Sequence, residues 1–155
     1  MKIILTLSIL FMSCLASAQT LQARIDTKGQ VIKGLCNQDE YFHLMNGMGN
    51  QSEAICPISM EELYNRLLQL NILKEDLKYK EETTVSVDVN CNGEVVNVEV
   101  KFKNEALNAQ IKDIFLTMGQ YTPGEMENKK VDCSIMYFIK IKKGTLTLNG
   151  NRWKK

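Results

Sequence analysis

The sequence predicts a small α+β domain: a three-stranded antiparallel sheet in the order 2-1-3 with two helices packed on one face. Three observations predict it. Residues 83–100 alternate apolar and polar side chains around one Asn-Gly pair, residues 104–118 carry apolar side chains at helical spacing, and residues 131–143 alternate again.

The first element is an export signal. Lys2 supplies the positive start, Ile3 to Leu15 is almost wholly apolar, and Ala16-Ser17-Ala18 fits the small-x-small cleavage rule. Residues 1–18 are therefore expected to be removed, with the mature chain starting at Gln19. The alternative is a lipoprotein box, Phe11-Met12-Ser13-Cys14, with Cys14 lipidated; bulky Met12 fits it poorly. The apolar stretch is shorter than the roughly 20 residues of a membrane span, and no later segment replaces it, so a periplasmic or secreted, non-spanning protein is expected. The chain carries 19 basic and 18 acidic residues, and loss of Lys2 balances them, which gives no electrostatic reason to expect nucleic acid as a partner.

Residues 19–56 read as an N-terminal extension, with a short hairpin over Leu21 to Lys33 around Lys28-Gly29 and an irregular loop from Phe42 to Ala54. The domain proper spans 57–143. Its first helix lies in SMEELYNRLLQLNIL, opened by a Ser59…Glu62 capping box and carrying Leu63, Leu67, Leu70 and Leu73 on one side. In the first strand Val85, Val87, Val89 and Cys91 share a face, and Asn92-Gly93 signals a two-residue type I′ turn. That turn pairs Cys91 with Glu94, Val89 with Val96, Val87 with Val98 and Val85 with Val100. Asn104 caps the second helix, with Leu107, Ile111, Ile114, Phe115 and Met118 inward and Gly119 and Pro123 ending it. The third strand points Val131, Cys133, Ile135, Tyr137, Ile139 and Ile141 one way and Asp132, Ser134, Met136, Phe138 and Lys140 the other. Residues 144–155 form a tail.

Four cysteines remain after processing, and an even count in an exported chain favours disulfides over metal binding, particularly with no C-x-x-C pair. A right-handed crossover would place the third strand beside the first and antiparallel to it. The end of the first strand then faces the start of the third. On that geometry Cys91 is expected to bond Cys133, leaving Cys36 to pair with Cys56.

In order, the helix, the hairpin with its arm NGEVVNVEV, the second helix, YTPG, NKKV and the strand ending IKIKKG resemble the C-terminal domain of TonB, the periplasmic part of the outer-membrane energy transducer. The resemblance runs from about Pro57 to Lys143. The family's turn glycine matches Gly93, its proline after the helix matches Pro123, and the aromatic two residues earlier matches Tyr121; where the family carries tryptophan, this chain has Gly119. A transducer also keeps a membrane helix and a Pro-rich arm. This chain has only Pro57 and Pro123 and a cleavable apolar segment. The resemblance thus implies a free-standing exported domain that binds protein or extended peptide by β-strand addition. The third strand would be the edge, with Ser134, Met136, Phe138 and Lys140 as contact residues; the alternative is that the N-terminal segment or the tail from Thr145 to Leu148 covers that edge or face.

Chemistry is sparsely represented. His43 is the only histidine, seven residues from Cys36, but an oxidised Cys36 is no nucleophile. Asp39-Glu40 and Glu61-Glu62 suit a solvated loop and a helix start. No phosphate loop, metal-ligand cluster or cofactor motif is present, so a non-catalytic domain without cofactor is expected. The competing class is a secreted peptidase inhibitor, for which no protruding loop is identifiable. Lys140, Lys142, Lys143 and Arg152, Lys154, Lys155 read as a solvated strand face and tail.

Overall fold

A computed structural model describes residues 23–27, 29–46, 49–70 and 80–149; the signal sequence, Gln19, Leu73 and Leu21 lie outside them. The elements are β1 (Ala23–Arg24), β2 (Tyr41–His43), β3 (Gln51–Ser52), α1 (Met60–Leu67), β4 (Lys80–Val89), β5 (Val95–Glu99), α2 (Glu105–Thr117), β6 (Gly124–Met126), β7 (Lys129–Lys142) and β8 (Thr145–Leu148).

The expected three-stranded sheet is corrected: the chain is α+β, but its sheet has eight strands. The three expected strands sit within it in the order β5-β4-β7. Of the extra strands, β1, β2 and β3 come from the segment read as extension, β8 from the tail, and β6 from the turn region after α2 inside the domain proper. β2 joins β7 in parallel, with Tyr41 opposite Asp132 and Phe42 opposite Cys133, and β1 adds to β2. β8 folds back along β7, and β6 and β3 continue the sheet near the start of β7. Periodicity missed β1, β2, β3 and β6 because each is two or three residues long, below the length at which alternation becomes visible. The hairpin expected at Leu21 to Lys33 is replaced by pairing of β1 with β2.

Both helix starts form as their sequences dictate. Ser59 Oγ accepts from the Glu62 amide at 3.1 Å and Asn104 Oδ1 accepts from the Leu107 amide at 3.0 Å, each satisfying a donor the helix cannot. Leu63, Leu67, Leu107, Ile111 and Phe115 are buried against Val85, Val87 and Val89 of β4 and Tyr137, Ile139 and Ile141 of β7. The Phe115 and Tyr137 rings lie 4.9 Å apart. Leu146 and Leu148 of β8 and Tyr41, Phe42 and Leu44 around β2 are as deeply buried as the strands foreseen, so extension and tail share one core with the central elements.

The β4–β5 turn differs from the expected two-residue form. Val87 does oppose Val98, but a bulge at Asp88/Val89 sets Val89 opposite Val95, and Asn90 to Glu94 make the connection. Asn90 is the cause. Its Oδ1 accepts from the amides of Asn92 and Glu94, local bonds that close the turn around it, while its own amide donates to Glu94 O at 2.9 Å and its Nδ2 reaches Gly34 O, so the strand ends at Val89. Of the Asn-Gly pair only Gly93 has positive φ, 84°, and a Cβ there would strike the Tyr121 carbonyl oxygen. Type I′ geometry, with two successive positive φ values, appears instead at Glu127-Asn128 and Lys143-Gly144.

The same early strand end corrects the disulfides. Val89, not Cys91, faces Cys133, which is buried; Cys91 lies past the strand, beside the loop after β1. Cys91 is bonded to Cys36, and Cys56 and Cys133 are free thiols, so neither Cys91–Cys133 nor Cys36–Cys56 forms. Buried Asp132 holds the two loops together: its carboxylate accepts from the amides of Asn37 at 2.7 Å and Cys91 at 2.8 Å. Burial pushes the Cys133 thiol pKa up, keeping it neutral.

Candidate functional site

β7 pairs with β4 along one edge from Cys133 to Lys142. Its other edge is only partly covered by the described residues. β2 takes Asp132 and Cys133, and β8 takes Ile139 to Lys142. Just before β8's ladder, Asn149 satisfies Phe138 twice: its amide donates to Phe138 O and its Oδ1 accepts from the Phe138 amide, both at 2.8 Å. At the other end His43 Nδ1 lies 3.4 Å from Ser134 O.

Alternate residues of a strand turn their backbone groups to the same edge, so Met136, midway between Ser134 and Phe138, directs its N–H and C=O into the interval. Among the described residues no strand pairs with β7 there. From Ser134 to Phe138 the interval is roughly 13 Å long, four residue rises. The sequence had suggested an open edge through Lys140. The structure shortens it: Lys140 pairs with Thr147 and its Nζ meets Glu82 at 2.7 Å, so it is occupied. Ser134 is also committed, buried with its hydroxyl 2.7 Å from that of Ser86. Met136 and Phe138 are 47% and 54% exposed, as alternation predicted for the outward face.

Beside them sequence reasoning missed the rest of the site. His43, Leu44, Met45, Glu53 and Ile135 join Met136 and Phe138 around a cleft of about 230 Å³. Met45 lies in the loop after β2, 48% exposed, and no periodicity marks that loop. Gly124 lets the loop approach: the position of a Cβ there is filled by Leu44 and Cys133.

On the sheet face away from the helices lies a second, polar chamber of about 280 Å³. Its roof is the segment after β1, tied to β2 where the Ile25 amide donates to Tyr41 O and to the β4–β5 turn through Gly34. Its floor contains His43, Ser134, Ser86, Tyr41, Asp88 and Asn97. These groups are hydrogen-bonded to one another. Tyr41 Oη donates to Asp88 Oδ1 at 2.6 Å and Asn97 Nδ2 donates to Asp88 Oδ2 at 2.8 Å, while the two serine hydroxyls face each other. His43 is next to a backbone carbonyl rather than a serine hydroxyl, and Asp88 is bonded to Tyr41 and Asn97, so the three residue types of a hydrolytic triad are close without its relay. Burial, then the Asp88 hydrogen bond, raises the Tyr41 pKa.

The one group of three metal-ligand residues among the described residues is Cys36, Cys91 and Asp132, and there the sulfurs are bonded to each other. No helix among the described residues is long and apolar enough to cross a membrane. Compared with known proteins, the chain matches no family model, no curated protein and no solved structure.

Proposed function

We propose that this protein is an exported, non-catalytic binding domain that takes an extended segment of a partner protein at the uncovered interval of β7. The observation that carries this reading is the coincidence of an edge unpaired among the described residues, exposed side chains and a cleft: Met136 turns its backbone groups to the interval, and Met136, Phe138 and Met45 supply apolar contact beside it. Because the interval is short, few ladder bonds are made and side-chain contact carries most of the affinity. The Cys36–Cys91 disulfide is compatible with export. The TonB resemblance supports the same class of function. Its marker residues have structural work here, since the Tyr121 amide donates to Gly93 O at 2.9 Å, holding the chain after α2 to the β4–β5 turn.

The test uses a peptide selected on the immobilised intact protein from a random library. Phe138→Ala is expected to weaken capture of that peptide about tenfold, equivalent to roughly 1.4 kcal/mol. Its melting temperature should stay within about 2 °C of the parent, because the ring faces solvent. A loss of many degrees with unchanged capture would mean that Phe138 supports the fold and not a partner, and the reading would fall.

A further inference from the structure

We propose that Cys36, Cys91 and Asp132 are the ligands of a site for one thiophilic divalent cation such as zinc, and that the disulfide is its lock: reduction opens the site and oxidation closes it. This site is independent of the peptide-binding reading above.

The three residues are far apart in sequence. Cys36 precedes β2, Cys91 stands in the β4–β5 turn and Asp132 is on β7, yet one donor atom from each lies within 4.8 Å of the others. The carboxylate is the unusual member. Asp132 is 1% exposed, and among the described residues no Lys, Arg or His forms an ion pair with it. Its partners are the amides of Asn37, the residue after Cys36, and of Cys91 itself, so the segments that carry the sulfurs also hold the carboxylate. Two amides use about half of the roughly four lone-pair directions of a carboxylate and leave the rest for a metal. A buried carboxylate that is hydrogen-bonded but has no counter-cation is a ligand already oriented.

Reduction completes the donor set. A dithiol reductant breaks the Cys36–Cys91 bond, is itself oxidised to a disulfide and leaves two thiols; the cation then displaces both thiol protons to solvent and takes two thiolates and one carboxylate oxygen. The two loops stay together without the sulfur bond, because Asp132 bridges them and Asn90 Nδ2 donates to Gly34 O. A tetrahedral zinc needs its sulfurs about 3.8 Å apart and its oxygen about 3.6 Å from each. Cysteines with Cα atoms 6.0 Å apart can span the first distance, and the 4.8 Å limit leaves little movement for the second. Two sulfurs and one oxygen select zinc or cadmium over magnesium and calcium, which take oxygen ligands. Cys36 is exposed, so an ion has a path in and water can fill the fourth position.

Zinc affinity of the intact protein, measured against a chromophoric chelator before and after reduction with a phosphine, tests this. The reduced protein is expected to bind one zinc at least about a hundredfold more tightly than the oxidised protein, and cobalt(II) in its place should show thiolate-to-metal charge-transfer absorption. In the reduced state Cys36→Ser should weaken binding about a hundredfold and Asp132→Asn about tenfold, whereas Cys56→Ser should leave it unchanged. Circular dichroism follows the fold throughout. Equal affinity of oxidised and reduced protein overturns the proposal, as does binding that Cys36→Ser or Asp132→Asn leaves intact. Binding lost with Cys56→Ser would put the ion on the other thiols and overturn it too. So would zinc held only by a reduced chain that has lost its sheet signal, since Asp132 is then no longer in place.

Discussion

Removing the Cys36–Cys91 disulfide, by reduction or by the double change Cys36→Ala/Cys91→Ala, is expected to cost about 4 kcal/mol of stability. The bond joins residues 55 apart, and closing a loop of that length withdraws entropy from the unfolded chain by about that amount on the chain-entropy model. The closed loop contains β2, β3, α1 and β4, so the bond fixes the extension to the sheet rather than pinning one turn. For a domain of this size the loss corresponds to roughly 10–15 °C in melting temperature. Cys133→Ala, which removes one buried sulfur and no bond, should cost only about 1 kcal/mol. Calorimetry of the three proteins checks this. Equal losses for Cys133→Ala and for the double variant would contradict the pairing.

Stability is also expected to collapse above pH 10. Tyr41, Tyr121 and Tyr137 all have their phenol pKa pushed above the ordinary 10.0, in each case chiefly by burial. In the unfolded chain these phenols release their protons near pH 10, whereas the folded protein retains them. More protons are then bound folded than unfolded, so stability falls as pH rises. Each tyrosine contributes a slope of about 1.4 kcal/mol per pH unit, or about 4 kcal/mol for three, and nothing below pH 10. Urea denaturation between pH 8 and about 11.5 should show a flat region followed by this steep decline. Reversible ionisation of all five tyrosines near pH 10 with the fold intact would refute it.

The long, regular elements were legible in the sequence because one periodicity governed many residues. Val85, Val87 and Val89 of β4, the inward residues of α2 and the alternation of β7 all lie where their spacing puts them. What failed were places where a local hydrogen bond overrode a pattern. Asn90 ends β4 two residues early with its own side chain, and that single event displaced both the turn and Cys91, hence the disulfide. The outward face of β7 was legible at Met136 and Phe138 but not at Asp132 and Ser134, which are buried although they alternate with the core residues. Their cover comes from β2 and the segment after β1, whose placement depends on contacts distant in sequence. The cleft was hidden for the same reason: Met45 and Met136 meet through the fold, not through any spacing.

The central claim is that a partner strand pairs with β7 at Met136, and backbone amide exchange followed by NMR on the intact protein tests it most directly. Adding the library-selected peptide should slow exchange of the Met136 amide about tenfold or more. Chemical-shift changes should be confined to residues 134–138 and to Leu44 and Met45. Unchanged exchange at Met136, with shifts centred instead on exposed Leu116 or Ile55, would contradict the account.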